Sequence, residues 1–480
     1  MTLLHGILLT GFLLAYLALA VWILKDSEDP DAQFKWLLII LCLPVLGLVL
    51  YLIGGISYRK KSVRERIHAE SVRRFREELS PALARACFPE DGEERLEARF
   101  RPLAALVKAC GAGNIVYGGN RFEIITSGLR KRELLLEDIR KARKFIHIEY
   151  FRFGNDKAGR EVRELLLRKA AEGVEVRFLN NNMTGRDIPR KYFREMQEGG
   201  MEVVPYTHIR NGFFLWLMRL NFQQHRKVVI IDGEVAYTGG MNLNDNYFYK
   251  WRDTHLRIEG PVISRLEASF LDSWFTSGGT LRQALDAYFP LPAPQQDDKI
   301  LQVVTDAPEY PWPAIRMAYE WVLQNAREYV YIQTPYFIPP ESFLDALKAA
   351  ALRGVDVRVM LPLHVDTPLI GPANRSVYAE CLDAGVRIYE RDGEFIHSKT
   401  MVCDDYLSLI GASNLDVRSF SINSEVNTLV YDRETALRCK AIFLEDVPRV
   451  KEWTAESWRA SRGFWEDLGS RVMRLFYKVL

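Results

Sequence analysis

One polar pattern occurs twice in this chain, each time inside an apolar run, and it limits the fold more than any other feature. Residues 221–244 read NFQQHRKVVIIDGEVAYTGGMNLN, and residues 394–416 read EFIHSKTMVCDDYLSLIGASNLD. Both contain H-x-K, then four residues and Asp, then six residues and Gly, then two residues and Asn. The stretch 225–255 aligns onto 397–427 without a gap, and Asp253 and Glu425 fall at the same offset from their histidines. His and Lys at i and i+2 share one face of a strand. Burying such a pair without a purpose is costly, and here it happens twice. By contrast, an isolated histidine such as His147 or His208 reads as an ordinary structural residue.

The surrounding texture is α/β. Strand-like KFIHIEYF (144–151), an amphipathic helix over 157–173 and strand-like VEVRFL (174–179) recur as EYVYIQTPYF (328–337), a helix over 340–354 and VDVRVML (355–361). GGMEVVPY and AGVRIYE then supply one further strand per copy. This alternation predicts a mostly parallel, helix-covered sheet in two similar halves related by a pseudo-twofold axis. The expected organisation is 1–58 transmembrane hairpin, 59–120 basic juxtamembrane helical region, 121–287 first half, 288–310 linker, 311–447 second half and 448–480 amphipathic tail. The Pro-rich YFPLPAPQQDDK (288–299) marks the linker.

The amino-terminal segment has a different character. Leu3–Leu24 and Trp36–Ile56 are apolar runs joined by the short charged KDSEDPDAQFK. Each is long enough to cross a bilayer core of about 30 Å. The start lacks the basic region of a signal peptide, and a second run follows at once. After it comes YRKKSVRERIHAESVRRFREE, whose Arg and Lys place everything that follows in the cytoplasm. The same flank attracts anionic headgroups. GFFLWLM (212–218) reads as a buried helix or as a lipid-facing lip of the site. FWEDLGSRVMRLFYKVL (464–480) has the pattern of an interfacial helix, with Trp465, Leu468, Val472, Leu475 and Val479 on one face. Net charge is only +2 over 480 residues, so no global basic field points to nucleic acid. Six scattered cysteines without CxxC argue against structural zinc.

If the two copies converge on one pocket, two ammonium groups and two amides suit a phosphate diester. Two imidazoles suit displacement at phosphorus, one attacking while the other protonates the leaving alkoxide. Asp253 and Glu425 can each hold an imidazole in one tautomer. With lysines in the place of a carboxylate cluster, the mechanism is expected to need no metal or other cofactor.

The duplicated H-x-K-x4-D-x6-G-[small]-x-N resembles the signature of the phospholipase D superfamily. The hairpin, GNRFEIITSGLRKRELLLEDIRKARKFIHIEYF, QQHRK, WRDTHLRIEGP, TPYFIP, RGVDVR and LDVRSFSINSEVN are similar to bacterial cardiolipin synthases across the whole chain. The resemblance implies a sandwich of two α/β halves with the site between them. It also implies a covalent phosphohistidine and the conversion of two phosphatidylglycerols to cardiolipin and glycerol in the bacterial inner membrane. It makes His225 the nucleophile and His397 the acid and then the base. Lys227, Lys399, Asn242 and Asn414 would bind phosphate, and Asp253 and Glu425 would orient the imidazoles. Asp232 and Asp404 belong to the signature, although their position at the far end of the strand suits a structural role. Gln223–Gln224 stand where Arg–Asn is usual, and Ala412 where Ser is usual. Other phosphatidyltransferases or a phospholipase D hydrolase are the alternative within the superfamily. A nuclease fits the chemistry but not the apolar runs, and a non-catalytic scaffold would not need both His–Lys pairs.

Overall fold

The computed structural model describes residues 2–26, 30–51, 73, 75–79, 81–82, 91–111, 113–181, 188–206, 223–291, 295–308, 310–367 and 369–475. His208, residues 212–218, the end of the tail and most of the basic flank 59–76 lie outside them. The described residues fall into two compact units, the amino-terminal helices and the remainder.

The first unit consists of helices Thr2–Asp26, Pro30–Cys42 and Pro44–Leu50. The break at Leu43 precedes Pro44, as the steric clash of a proline with the preceding residue requires. Ile23, Ile40 and Tyr51 form a small core with Tyr16, Leu19, Trp36 and Leu37. Other apolar side chains point away from it: Leu17 is 63% exposed, Leu41 67% and Val45 77%. Among the described residues, no helix is long and apolar enough to cross a membrane.

The second unit is built on one fifteen-stranded sheet. Its first seven strands in spatial order are Val450–Trp453, Arg387–Arg391, Asp356–Pro362, Tyr329–Gln333, Thr400–Cys403, Leu407–Gly411 and Glu425–Tyr431. Lys299–Asp306 and Val116–Ile125 follow at the centre. His255–Glu259, Val235–Gly239, Lys227–Ile231, Phe145–Tyr150, Glu175–Asn180 and Glu202–Pro205 complete it. Apart from Val450–Trp453, the order reads the same in both halves outward from the centre. The expected mostly parallel sheet is corrected. Only the three strands of each half's strand–helix–strand units pair in parallel, and the rest of the sheet is antiparallel. Strands joined by short turns, such as Lys227–Ile231 and Val235–Gly239, can only run antiparallel.

The stretch expected as a linker, 288–310, contributes the central strand Lys299–Asp306. That strand pairs with Glu425–Tyr431 on one side and Val116–Ile125 on the other. The halves are therefore joined by a hydrogen-bonded seam, and Val228 and Ile258 of the first also share a core cluster with Ile410 and Val426 of the second. The helix Arg101–Cys110 packs Leu103, Ala104 and Val107 into the core of the second half. The helix Ile263–Thr276 is buried along nearly its whole length, and its core cluster draws residues from both halves. Helices cover both sheet faces. In each copy the strand–helix–strand unit turns at a glycine with positive φ, Gly173 at 94° and Gly354 at 90°, where any other residue would be strained. The tail begins with the edge strand Val450–Trp453 and ends in the helix Phe464–Leu475. That helix buries Ser470 and packs Met473 against Ile338, Ile370 and Ala373, while Phe464 and Trp465 stand 73% and 78% exposed.

Candidate active site

His225 and His397 each lie just before a sheet strand, and in each case the approach segment bonds to the other half. His225 N–H donates to the Ser424 carbonyl (2.9 Å) and Ser424 N–H to that of Gln223 (2.9 Å). The related exchange runs from His397 N–H to Arg252 (2.7 Å) and from Arg252 N–H to Phe395 (3.0 Å). Ser424 precedes Glu425, and Arg252 precedes Asp253. Each histidine therefore faces the acid of the opposite copy. His225 Nδ1 donates to Glu425 at 2.9 and 3.0 Å, and His397 Nδ1 donates to Asp253 Oδ2 at 2.7 Å. With the hydrogen held at Nδ1, Nε2 of both rings is left as the reactive nitrogen.

The lysines lie beside their own histidines. Lys227 Nζ donates to the His225 carbonyl at 2.6 Å, and Lys399 Nζ donates to the His397 carbonyl. Lys399 Nζ also sits 2.6 and 3.0 Å from the two ring nitrogens of His397. Asn242 and Asn414 are buried. The Asn242 side-chain oxygen accepts from Arg152 N–H at 3.0 Å, and Asn414 Oδ1 has no partner among the described residues. His225, Lys227, His397, Lys399, Asn242 and Asn414 are thus brought together with both acids in one buried polar site. Arg226 fixes one side by donating to the carbonyls of Glu425 and Asp306 (3.2 Å each), and Arg252 fixes the other through Asp446 (3.0 Å).

The electrostatics are those of a buried, cation-rich site. Burial pushes His225 down to about 4; Lys227 and Lys399 push the same way, and Glu425 opposes them. His397 is held well below its usual value by burial and then by Lys399, Lys227 and His225. Lys227 is lowered by burial, and Lys399 is lowered by burial to about 8. Burial raises Asp253 to about 6. It also opposes ionisation of Glu425, but His225 and Lys227 outweigh it and keep that carboxyl below its usual range.

Asp232 and Asp404 lie away from this cluster. Asp232 accepts from the backbone N–H groups of Arg143, Lys144 and Phe145 at 2.7, 2.8 and 2.9 Å, closing the start of Phe145–Tyr150. Asp404 does the same for Arg327, Glu328 and Tyr329 at 2.9, 2.9 and 3.1 Å, and also accepts from Arg99 at 3.1 Å. Both have positive φ, 55° and 48°. Replacing either by Ala leaves three donors without an acceptor at a strand end. Asp232→Ala should cost about 3 kcal/mol, read as a lowered midpoint of thermal or urea unfolding.

The Gln223 carbonyl accepts from Ser424 N–H at 2.9 Å, and the Gln224 carbonyl accepts from Asn181 at 3.0 Å. Gly240 packs so tightly against Asp253 that an added Cβ would lie 2.1 Å from its Oδ1, so the first copy requires glycine. The related Ala412 uses only its N–H, toward Val426 and Asn427. His147 is fixed by Glu267 (2.7 Å) and stacked on Phe270. Reasoning from sequence passed over the aromatic neighbours of the histidines. Phe151 meets His225 edge-on at 4.6 Å, and Tyr247, Trp251 and Phe395 surround His397. Tyr247 and Trp251 lie inside the aligned repeat but have no aromatic counterpart in the second copy, and that mismatch was the available signal.

A family profile described as "Cardiolipin synthase, PLD-like domain" matches residues 135–274 and 321–447. The chain belongs to the cardiolipin synthase family. A second profile, "Phospholipase_D-nuclease N-terminal", matches 14–55. The chain is similar to the major cardiolipin synthase of Bacillus subtilis, 34% identical with 99% of each chain covered. It is also similar to a cardiolipin synthase of Staphylococcus aureus, 32% identical over 99% of this chain and 97% of that one. Among solved structures, the phosphatidylserine synthase of Haemophilus influenzae shares the fold. The TM-score is 0.60 at 14% identity, covering 79% of this chain and 98% of that one.

Proposed function

We propose that the chain is a bacterial cardiolipin synthase, moving the phosphatidyl group of one phosphatidylglycerol onto the terminal hydroxyl of another. The observation that carries this reading is the pair of crossed His–carboxylate sets, each with its lysine, in a chain that aligns end to end with curated cardiolipin synthases. His225 is the nucleophile, since its Nε2 has no side-chain hydrogen-bond partner among the described residues. As Nε2 bonds to phosphorus, the glycerol–phosphorus bond breaks and His397 gives the leaving oxygen its proton. The arriving diester brings the negative charge that lets His397 hold that proton beforehand. In the second step the acceptor hydroxyl gives its proton to His397 as its oxygen displaces His225. One diester replaces another, so no nucleotide is consumed. Lys227, Lys399, Asn242 and Asn414 hold the phosphate oxygens, with the lysines supplying cationic charge. Asp253 and Glu425 hold the rings, and Asp232 and Asp404 hold the strands beneath them.

The amino-terminal helices are the membrane hairpin in this reading, with their outward apolar side chains in lipid and the basic flank keeping the catalytic body cytoplasmic. The exposed face of Phe464–Leu475 adds an interfacial contact. A site held at the bilayer favours a lipid acceptor over water. The test is to incubate purified full-length protein with phosphatidylglycerol in EDTA and identify products by mass spectrometry. Cardiolipin with equimolar glycerol is expected. Phosphatidic acid alone would replace synthase by hydrolase, and loss of activity restored by one divalent ion would end the metal-free scheme.

The pH dependence has a defined sign. Below about 6 Asp253 takes up a proton and its hold on His397 weakens; above about 8 Lys399 loses its charge. For the free enzyme kcat/KM should therefore peak between these values. A flat profile from pH 5 to 9 would show that neither group controls the reaction.

A further inference from the structure

The two copies differ at the reactive nitrogens. Tyr247 OH lies 3.3 Å from His397 Nε2, and Tyr247 is buried. At the related position of the second copy stands Ser419, whose hydroxyl accepts from Asn414 N–H at 3.2 Å. No hydroxyl side chain meets Nε2 of His225 among the described residues. Around His397 the ring of Tyr247 is at 5.1 Å, that of Trp251 at 5.5 Å and that of Phe395 at 5.9 Å. Tyr247 and Trp251 pack edge-on at 4.8 Å, and Trp251 and Phe395 pack at 4.8 Å. Among the described residues, His225 has Phe151 at 4.6 Å as its aromatic neighbour. The second imidazole is thus boxed by aromatic side chains, and the Tyr247 hydroxyl meets its Nε2.

We propose that Tyr247 is a positioning residue that occupies the base nitrogen of His397 and keeps water from it until the lipid hydroxyl arrives. The proposal rests on the transfer reaction above. After the first step His397 has given up its proton, and Nε2 is a free base beside a phosphohistidine. Any water within hydrogen-bonding reach of that lone pair would be activated toward phosphorus, releasing phosphatidic acid. Lys399, 3.0 Å from Nε2, is drawn to the phosphate when substrate binds. The tyrosine hydroxyl is then the donor left to hold Nε2. A lipid alcohol displaces it, loses its proton to Nε2 and bonds to phosphorus as the bond to His225 breaks. Tyr247 itself gives up no proton, because burial raises its hydroxyl well above the usual value and Asp253 adds to that. Without the hydroxyl, a water can take its place at the nitrogen that activates nucleophiles.

The test is the ratio of phosphatidic acid to cardiolipin formed by full-length Tyr247→Phe from phosphatidylglycerol vesicles, read by mass spectrometry at matched turnover. The ratio should rise about two- to tenfold, the scale of one lost hydrogen bond. Ser419→Ala should slow turnover without moving the ratio, since its hydroxyl does not meet a reactive nitrogen. A merely structural tyrosine would lower both products together, so an unchanged ratio in Tyr247→Phe would overturn the proposal. So would complete loss of both products from a folded variant, because a water-excluding hydroxyl is not required for the first step. If thermal unfolding shows the Phe variant misfolded, Tyr247→Leu carries the same expectation and the same refutation. Wild-type protein that forms no cardiolipin would count against the proposed function instead, and the ratio would then be that of phosphatidic acid to labelled phosphatidylglycerol with isotopically labelled glycerol as acceptor.

Discussion

His225→Ala and His397→Ala should each lower cardiolipin formation by roughly 10³-fold or more while leaving the fold intact. The two losses should differ in kind. Without His225 there is no atom to carry the phosphatidyl group, so lipid labelled at phosphorus should leave no label on the protein. Without His397 the attack lacks its acid and the intermediate lacks its base, and any label that forms should persist. Both side chains are nearly buried at the meeting of two bonded backbone segments, and those segments hold through main-chain groups that alanine retains. Normal turnover in either variant would end the two-histidine scheme, and persistent label in His225→Ala would reverse the roles.

The second large effect crosses the molecule. Glu425→Gln removes the carboxylate that holds His225, and Asp253→Asn the one that holds His397. An amide can donate to Nδ1 and stabilise the wrong tautomer, so each change should cost roughly 10²–10⁴-fold in kcat. The location of the damage is the sharper expectation. Glu425→Gln, a change in the second half, should slow formation of the phosphoenzyme at the first half's histidine. Asp253→Asn, in the first half, should slow its breakdown as well as its formation, since His397 serves both steps. Rapid-quench measurement of the two steps separates them. The opposite assignment would mean that each acid serves the histidine of its own copy.

Much of this architecture is legible in the residues. The strand–helix–strand units repeat with their turns, and HxK at i and i+2 announces one face of a strand. The middle of the sheet is harder to read. Lys299–Asp306 follows a Pro-rich stretch and looks like the end of a linker, yet a central strand buried on both faces needs no alternation to mark it. The crossed pairing is hidden for a different reason. Asp253 and Glu425 stand at equal offsets from their own histidines, so spacing alone suits pairing within a copy as well as between copies. The choice is made by short backbone exchanges at Ser424 and Arg252, which no periodicity announces. Tyr247 is hidden because alignment of the copies draws the eye to identities, while the asymmetry lies where they differ.

The crossed acids also bear on how such a chain came to exist. A single ancestral copy would own a histidine and an acid that cannot reach each other, so it would have been inert until two identical chains met. Fusion of the two genes would have made that meeting permanent and freed the copies to diverge. Gly240 against Ala412, and Tyr247 against Ser419, are then marks of a former homodimer whose two equivalent half-sites have taken up different duties. Neither half can now be lost or inherited alone without taking its neighbour's histidine out of use.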